Sequence, residues 1–389
     1  MKKTKILRNI FFSLSVLFAL AQWLDAGPMD GVLNLSNSAL VPPQSTINTF
    51  DVPGAGTDPG QGTIPYTINP AGTIMGVYLD PNNVYYGFLR APNGAITTFN
   101  VQGAGTDPYQ GTQPISMNPE GTIAGDYADA NGAYHVFVRA RGGAITTFDV
   151  PGAGTGPNQG TVAENINAPG TIAGIYRNAT LINHGFVRAP NGAITTFDVP
   201  GGGTGPYQGT AMSSVDCLTA KGEVVGPMVD SNDAFHGYLR APNGTITVFD
   251  VSSAGTDPGQ GTYPTGINEA GTIHGFYIDP SNLYHGFVRA KNGNITTYDV
   301  PGAGTGPGQG TVPYNINTPG AITGPYIDGS DVNHGFLRAK NGAFTTFDIP
   351  GAGTGPGQGT IPNCNNPMDA ITGEYIDSSN VAHGFLRTP

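Results

Sequence analysis

An aromatic residue followed by Asp or Asn returns at Phe50, Phe99, Phe148, Phe197, Phe249, Tyr298 and Phe347. The step is 49 residues each time, except for 52 between Phe197 and Phe249. A fixed period of this size means stacked or ring-arranged supersecondary units, each too small to bury its own hydrophobic face. In the first copy Thr63–Asn69, Thr73–Asp80, Tyr85–Ala91 and Ala95–Val101 read as strands, rich in Ile, Val, Thr, Tyr and Phe. The turns between them carry Gly, Pro and Asn. Ala91-Pro92-Asn93-Gly94 is placed for a type I turn with a following bulge. With 60 Gly and 33 Pro in 389 residues the composition alone would suit a disordered chain. Here the glycines keep fixed offsets beside regular aromatics, which implies an ordered all-β protein.

Four antiparallel strands per repeat predict a seven-bladed β-propeller. The last copy ends at Pro389 after its third strand, and Thr46-Ile47-Asn48-Thr49-Phe50 matches the missing fourth. The N-terminal strand is expected to complete the last blade and so remove an exposed sheet edge. The three extra residues of the long step are expected in the turn at Cys217–Gly222. Cys217 and Cys364 belong to copies three apart, so both are expected as free, buried thiols.

Residues 1–21 read as a secretory signal. Lys2, Lys3, Lys5 and Arg8 precede an apolar run from Ile10 to Leu20, and Ala19-Leu20-Ala21 is a small-x-small cleavage site. The run is too short to span a membrane. The expected organisation is a signal peptide at 1–21, an extension at 22–44 and the propeller at 45–389, in a protein that is secreted, extracellular or periplasmic. Losing four basic residues of 16 leaves 12 Lys+Arg against 27 Asp+Glu, a net charge of −15. Such a surface repels nucleic acid and anionic membranes and favours cations or a basic partner.

The run Ile166-Asn167-Ala168-Pro169-Gly170-Thr171-Ile172-Ala173-Gly174, followed by His184-Gly185-Phe186-Val187, resembles the bacterial extracellular repeat family named for its His-Ala-Phe (HAF) motif. All seven copies take part, with His135-Val136-Phe137 in the second and Tyr86 in place of His in the first. The resemblance implies secretion and a β-propeller fold, and no particular chemistry.

Blade topology sorts the charges. On the loop face lie Asp80, Asp129, Asp230, Asp279, Asp328 and Asp377 after the second strand. Asp51, Asp149, Asp198, Asp250, Asp299 and Asp348 follow the fourth. On the opposite face one Arg ends each third strand, Arg90 to Arg387, so that face is expected to be more basic. Calcium prefers several carboxylate and carbonyl oxygens, which makes Asp58, Asp107 and Asp257 the metal candidates. No Asp-x-Asp-x-Asp run occurs, and an Asp before a turn ordinarily accepts that turn's own N–H groups. One motif histidine per blade is poor geometry for a metal or catalytic site; each is expected to hydrogen-bond within its own blade.

A real site is normally local, so positions that break the pattern are the better ligand-binding candidates. His274, Asp126 and Glu374 stand where other copies have apolar, Thr or Pro residues. Arg177-Asn178 replaces an aliphatic-Asp pair, and Glu164 lies in the first strand of the third copy. Asp126, Glu164 and Arg177, from adjacent copies, are expected to converge. Glu164 and His274 could form an acid–base pair across a central channel. The near-uniform repeats favour a monomeric, non-catalytic binding or scaffold protein that takes a glycan, a basic protein surface or a cation on the loop face. The alternative is a polysaccharide lyase or hydrolase with its site at the channel mouth.

Overall fold

The computed structural model describes residues 45–213 and 216–389. The expected signal peptide and extension, 1–21 and 22–44, lie outside the described residues. Among the described residues all regular structure is β-strand, so no helix is long and apolar enough to cross a membrane.

The chain forms seven repeated units of antiparallel strands A to D. In unit 1 these are Gly62–Ile68, Ile74–Leu79, Tyr85–Arg90 and Ile96–Phe99. A pairs with B, B with C, and C with D. Strand A is buried along its whole length and touches the A strands of its neighbours, so the A strands form the inner wall. Strand D is half-exposed and lies at the rim. The B–C turn is built by its first residue: Asp80 accepts N–H bonds from Asn82 and Val84, both at 2.9 Å.

Each unit is joined to the next through the start of strand A. Tyr85 pairs in parallel with Gly111, and the same single pairing recurs to Ala382 with Gly62. The approach is too close for a side chain. A Cβ on Gly62, which has φ +119°, would sit 2.0 Å from the Ala382 carbonyl oxygen. Between units, the fully buried Phe88 packs edge-on against Phe50 at 6.1 Å, and the Arg90 guanidinium lies 4.8 Å over the same ring. Phe137 and Arg139 meet Phe99 in the same way, as Phe385 and Arg387 meet Phe347. Each buried ring contributes roughly 1.5–3 kcal/mol, and each cation–π contact about 0.5–2 kcal/mol. The third-strand arginines therefore do not make a free basic face. Their guanidinium groups stack on rings of the preceding unit and lie half-buried or deeper.

The ring closes as expected. Strand Thr46–Phe50 pairs antiparallel with Ala382–Thr388, from Thr46 opposite Thr388 to Phe50 opposite Gly384. It is the fourth strand of unit 7, and unit 1 contacts unit 7 as any neighbour would. The result is one closed sheet of repeated strands. Cys217 and Cys364 are free and buried.

The extra residues of unit 4 are not in a turn. Thr219 accepts from Gly222 N–H and donates its own N–H to the Glu223 carbonyl, as Asn69 does with Gly72 and Thr73. Ala220-Lys221-Gly222 is therefore the ordinary three-residue turn. The three extra residues therefore fall between Thr210 and Cys217, and strand A of this unit spans Gly209–Thr210. Thr219 in place of the usual Asn hid this alignment.

Candidate functional site

The recurring residues are largely spent on holding the units together. In units 2 to 7 a row crosses strands B, C and D, seen in unit 2 as Tyr127, His135 and Asp149. The Tyr127 and His135 rings stack at 5.1 Å. His135 Nδ1 lies 2.9 Å from Asp149, and its Nε2 lies 3.6 Å from Asp129. The row recurs with His184, His285, His334 and His383 on Asp198, Asp299, Asp348 and Asp51; His236 on Asp250 keeps the pair without the tyrosine, which is Met228 in unit 4. Burial alone would depress the His236 imidazole, but Asp250 and Asp230 together hold it above its ordinary value. Unit 1 changes both partners at once: Tyr86 stacks on Tyr78, and Asn100 replaces the aspartate. The motif histidines thus bond inside their own units, as the sequence implied.

The connector glutamines do likewise. Gln61 Oε1 accepts the Asp58 N–H at 3.0 Å, and its Nε2 donates to the Pro81 carbonyl at 3.2 Å. Asp107 and Asp257 repeat the first contact with Gln110 and Gln260. Asp58, Asp107 and Asp257 sit on separate exposed connectors and are not brought together. Among the described residues no three His, Cys, Asp or Glu side chains are grouped to hold a metal ion.

The pattern-breaking residues fall into three places. In the first, Asp126, Glu164 and Arg177 converge between units 2 and 3. Asp126 is 3% exposed, and its carboxyl is pushed up to about 8 by burial, against the pull of Arg177. Glu164 is raised well above the ordinary range by burial and by Asp126, again opposed by Arg177. The guanidinium donates to Asn183 Oδ1 at 3.1 Å and lies 5.9 Å from the centre of the Tyr207 ring. Burial raises the Tyr134 phenol, Asp126 adds to that shift and Arg177 opposes it.

In the second place His274 is fully buried in strand B of unit 5, with Nδ1 3.3 Å from Thr265 Oγ1. Burial drives its imidazole down to about 3, so it stays neutral. Glu164 and His274 have different partners, and the acid–base pair read from the sequence is not formed.

In the third, Glu374 is 2% exposed and accepts from Asn363 Nδ2. Burial pushes it up to about 8. A carboxyl raised in the folded state gives stability that is present below its unfolded value, near 4.5, and lost as pH rises through about 8. Glu374→Gln is isosteric and does not titrate. It is expected to leave the melting temperature unchanged at pH 4 and to stabilise at pH 9 by about 1–2 kcal/mol. Thermal unfolding at the two pH values checks this, and a loss at pH 9 would refute it.

Three features escaped the sequence. Gln113 lies directly opposite Asp126 across strands A and B of unit 2. Tyr109 and Tyr207 occupy a connector position that is Gly60, Gly259, Gly308, Gly357 or Asn158 in other units, and they share its left-handed backbone with φ of 67° and 65°. Asp216, in the unit 4 insertion, accepts from Asn315 of unit 6, and its backbone carbonyl accepts the Ile267 N–H of unit 5. Comparing that connector position across copies would have exposed the two tyrosines. The same comparison would have exposed Gln113, whose position is Ile64, Val162, Tyr263 or Ile361 in other units.

No protein-family model matches the chain, and no curated protein matches it. Among solved structures, the BP39L lectin of Burkholderia pseudomallei is similar, with a TM-score of 0.54 and 10% identity over 82% of this chain and 93% of that one. Weaker likenesses are dipeptidyl peptidase 4 of Porphyromonas gingivalis (TM-score 0.43, 10% identity, 72% and 44%) and the Aleuria aurantia lectin AAL (0.38, 10%, 76% and 96%). The chain spans less than half the length of the peptidase. At such identity the likeness to BP39L shows a shared fold and nothing of chemistry.

Proposed function

We propose that the seven units are the blades of a seven-bladed β-propeller of the His-Ala-Phe repeat type, exported by the leader at 1–21. In this reading it is a non-catalytic binding protein that takes a glycan on its loop face. One observation carries it. Six carboxylates, Asp51, Asp149, Asp198, Asp250, Asp299 and Asp348, stand 44% to 68% exposed, each fixed by a histidine of its own unit. They are preorganised hydrogen-bond acceptors, which suits hydroxyl-rich ligands and lowers the ordering cost of binding. Of the pattern-breaking groups that could do acid–base work, Asp126, His274 and Glu374 are sealed from solvent, and Glu164 alone is half-buried. That favours binding over the lyase or hydrolase alternative. BP39L, of the same fold, is by its name a lectin.

The test is a glycan array probed with the exported chain, with a reducing-end and unsaturated-product assay on every glycan retained. Retention of neutral oligosaccharides without turnover is expected. New reducing ends or unsaturated products would replace this reading with the enzymatic one, and retention of no glycan would remove it.

A further inference from the structure

In every unit the connector residue before the recurring glutamine donates its N–H to a carbonyl in the B–C turn that precedes it, as Gly60 does to Asn380, Gly259 to Asp233 and Gly357 to Asp331. The donor has left-handed backbone, which glycine supplies in four units without a side chain. Tyr109 keeps the bond, to the Asn83 carbonyl at 2.7 Å, with φ 67°. Its ring therefore adds nothing to the connector, and a bulky residue in this conformation is unfavourable. Strain of this kind persists where structure or function offsets it.

For Tyr207, the other tyrosine at this position, the offset is structural. Its ring lies 5.9 Å from the buried Arg177 guanidinium, and its carbonyl accepts from Asn183 Nδ2 at 2.8 Å. Unit 1 has Leu79 where unit 3 has Arg177, so Tyr109 covers no such charge. Among the described residues Tyr109 is the one exposed aromatic side chain, at 57%. A ligand reaches its ring without any opening of the fold. Asp107 is exposed two residues upstream, and Asp80 heads the turn to which Tyr109 is bonded. Among the described residues the exposed cations are Arg141, Lys221, Lys291 and Lys340, all in A–B or C–D turns at the opposite face.

We propose that Tyr109 is the stacking platform for one ring of an amino-sugar chain on the loop face. This rests on the glycan-binding reading and names its ligand. A tyrosine ring offers an apolar face to the C–H surface of a pyranose and a hydroxyl at its edge. The protonated amine of a hexosamine is drawn to the ring face and to the aspartates around it. A neutral saccharide gains the stacking alone, and an anionic one is repelled by the same aspartates. The contrast with Tyr207 makes this one site in the ring, not a repeated one.

Isothermal titration of the full chain at pH 5 and low salt with glucosamine hexamer, its N-acetylated counterpart and spermine tests this. The glucosamine hexamer is expected to bind at one equivalent per chain, at least tenfold more tightly than the neutral N-acetylated hexamer. Tyr109→Gly should weaken that binding at least tenfold without lowering the melting temperature, since four units carry glycine there. Tyr109→Phe should retain it. Binding at several equivalents, or binding that Tyr109→Gly leaves intact, would overturn the platform and leave the loop-face reading standing. Equal affinity for the two hexamers, or spermine bound as tightly as the glucosamine hexamer, would overturn the amino-sugar assignment. So would failure of both hexamers to bind, and only a glycan array that retains nothing would remove the loop-face reading with it.

Discussion

A chain that begins at Pro53 is expected to lose its cooperative unfolding transition and to aggregate, while a chain that begins at Ser45 keeps the transition and stays in solution. The missing segment is short, but every contact it makes is a closing contact. Thr46–Phe50 pairs with Gly384–Thr388. Phe50 packs on Phe88 and carries Arg90 over its ring. Asp51 holds His383, and the Val52 N–H donates to Thr63 Oγ1 at 2.9 Å. Truncating one such aromatic costs about 3–5 kcal/mol, against a total stability of order 5–15 kcal/mol. The cut also bares the edge of Ala382–Thr388 as a template for pairing with other chains. A synthetic peptide covering residues 45–52 should restore the transition if the edge is specific. The measurements are thermal unfolding and light scattering on both truncations. Equal melting temperatures for the two chains would show that the ring does not depend on this strand.

That closure was legible because the repeat supplied its own yardstick. Seven aromatic–Asp/Asn pairs set the phase, and one strand missing at one end matched one spare at the other. The motif histidines were legible for a related reason: a residue present in six units is explained most simply by something six units share. Unit 1, with Tyr86 and Asn100 changed together, shows the pairing from the opposite side. Phase alone misled in two places. The insertion of unit 4 looked like a turn because Thr219 stands for Asn, and the hydrogen bonds of the true turn are needed to see it. The third-strand arginines looked like a basic face, because sequence places a charge at a strand end without saying that a neighbour's ring lies beneath it. Gln113 was legible by the same yardstick, since its position is apolar in the other units, but its pairing with Asp126 is seen only once the two strands are set side by side.

Arg177→Met is expected to destabilise the protein by about 3–5 kcal/mol at pH 10, the usual cost of removing one partner from a buried charged set, and by far less at pH 6. Arg177 is 4% exposed and draws down both Asp126 and Glu164, which burial drives up. A carboxyl raised in the folded state stabilises below its unfolded value, near 4, and loses that contribution as pH rises through the folded value, about 8 for Asp126. Without the guanidinium the folded values climb further. Up to about pH 8 the folded parent holds these protons as well, so the variant's deficit opens only above that, where the parent can ionise and the variant cannot. Well below pH 8 what remains is the lost bond to Asn183 and the packing over Tyr207. The triple variant Arg177→Met, Asp126→Asn, Glu164→Gln removes the charges together and should recover most of the stability at pH 10. Urea unfolding of the parent, the single and the triple variant at pH 6 and 10 decides the matter. A loss independent of pH would make Arg177 a packing residue, and a triple variant no better than the single would mean that the two carboxyls and the guanidinium do not act as one set.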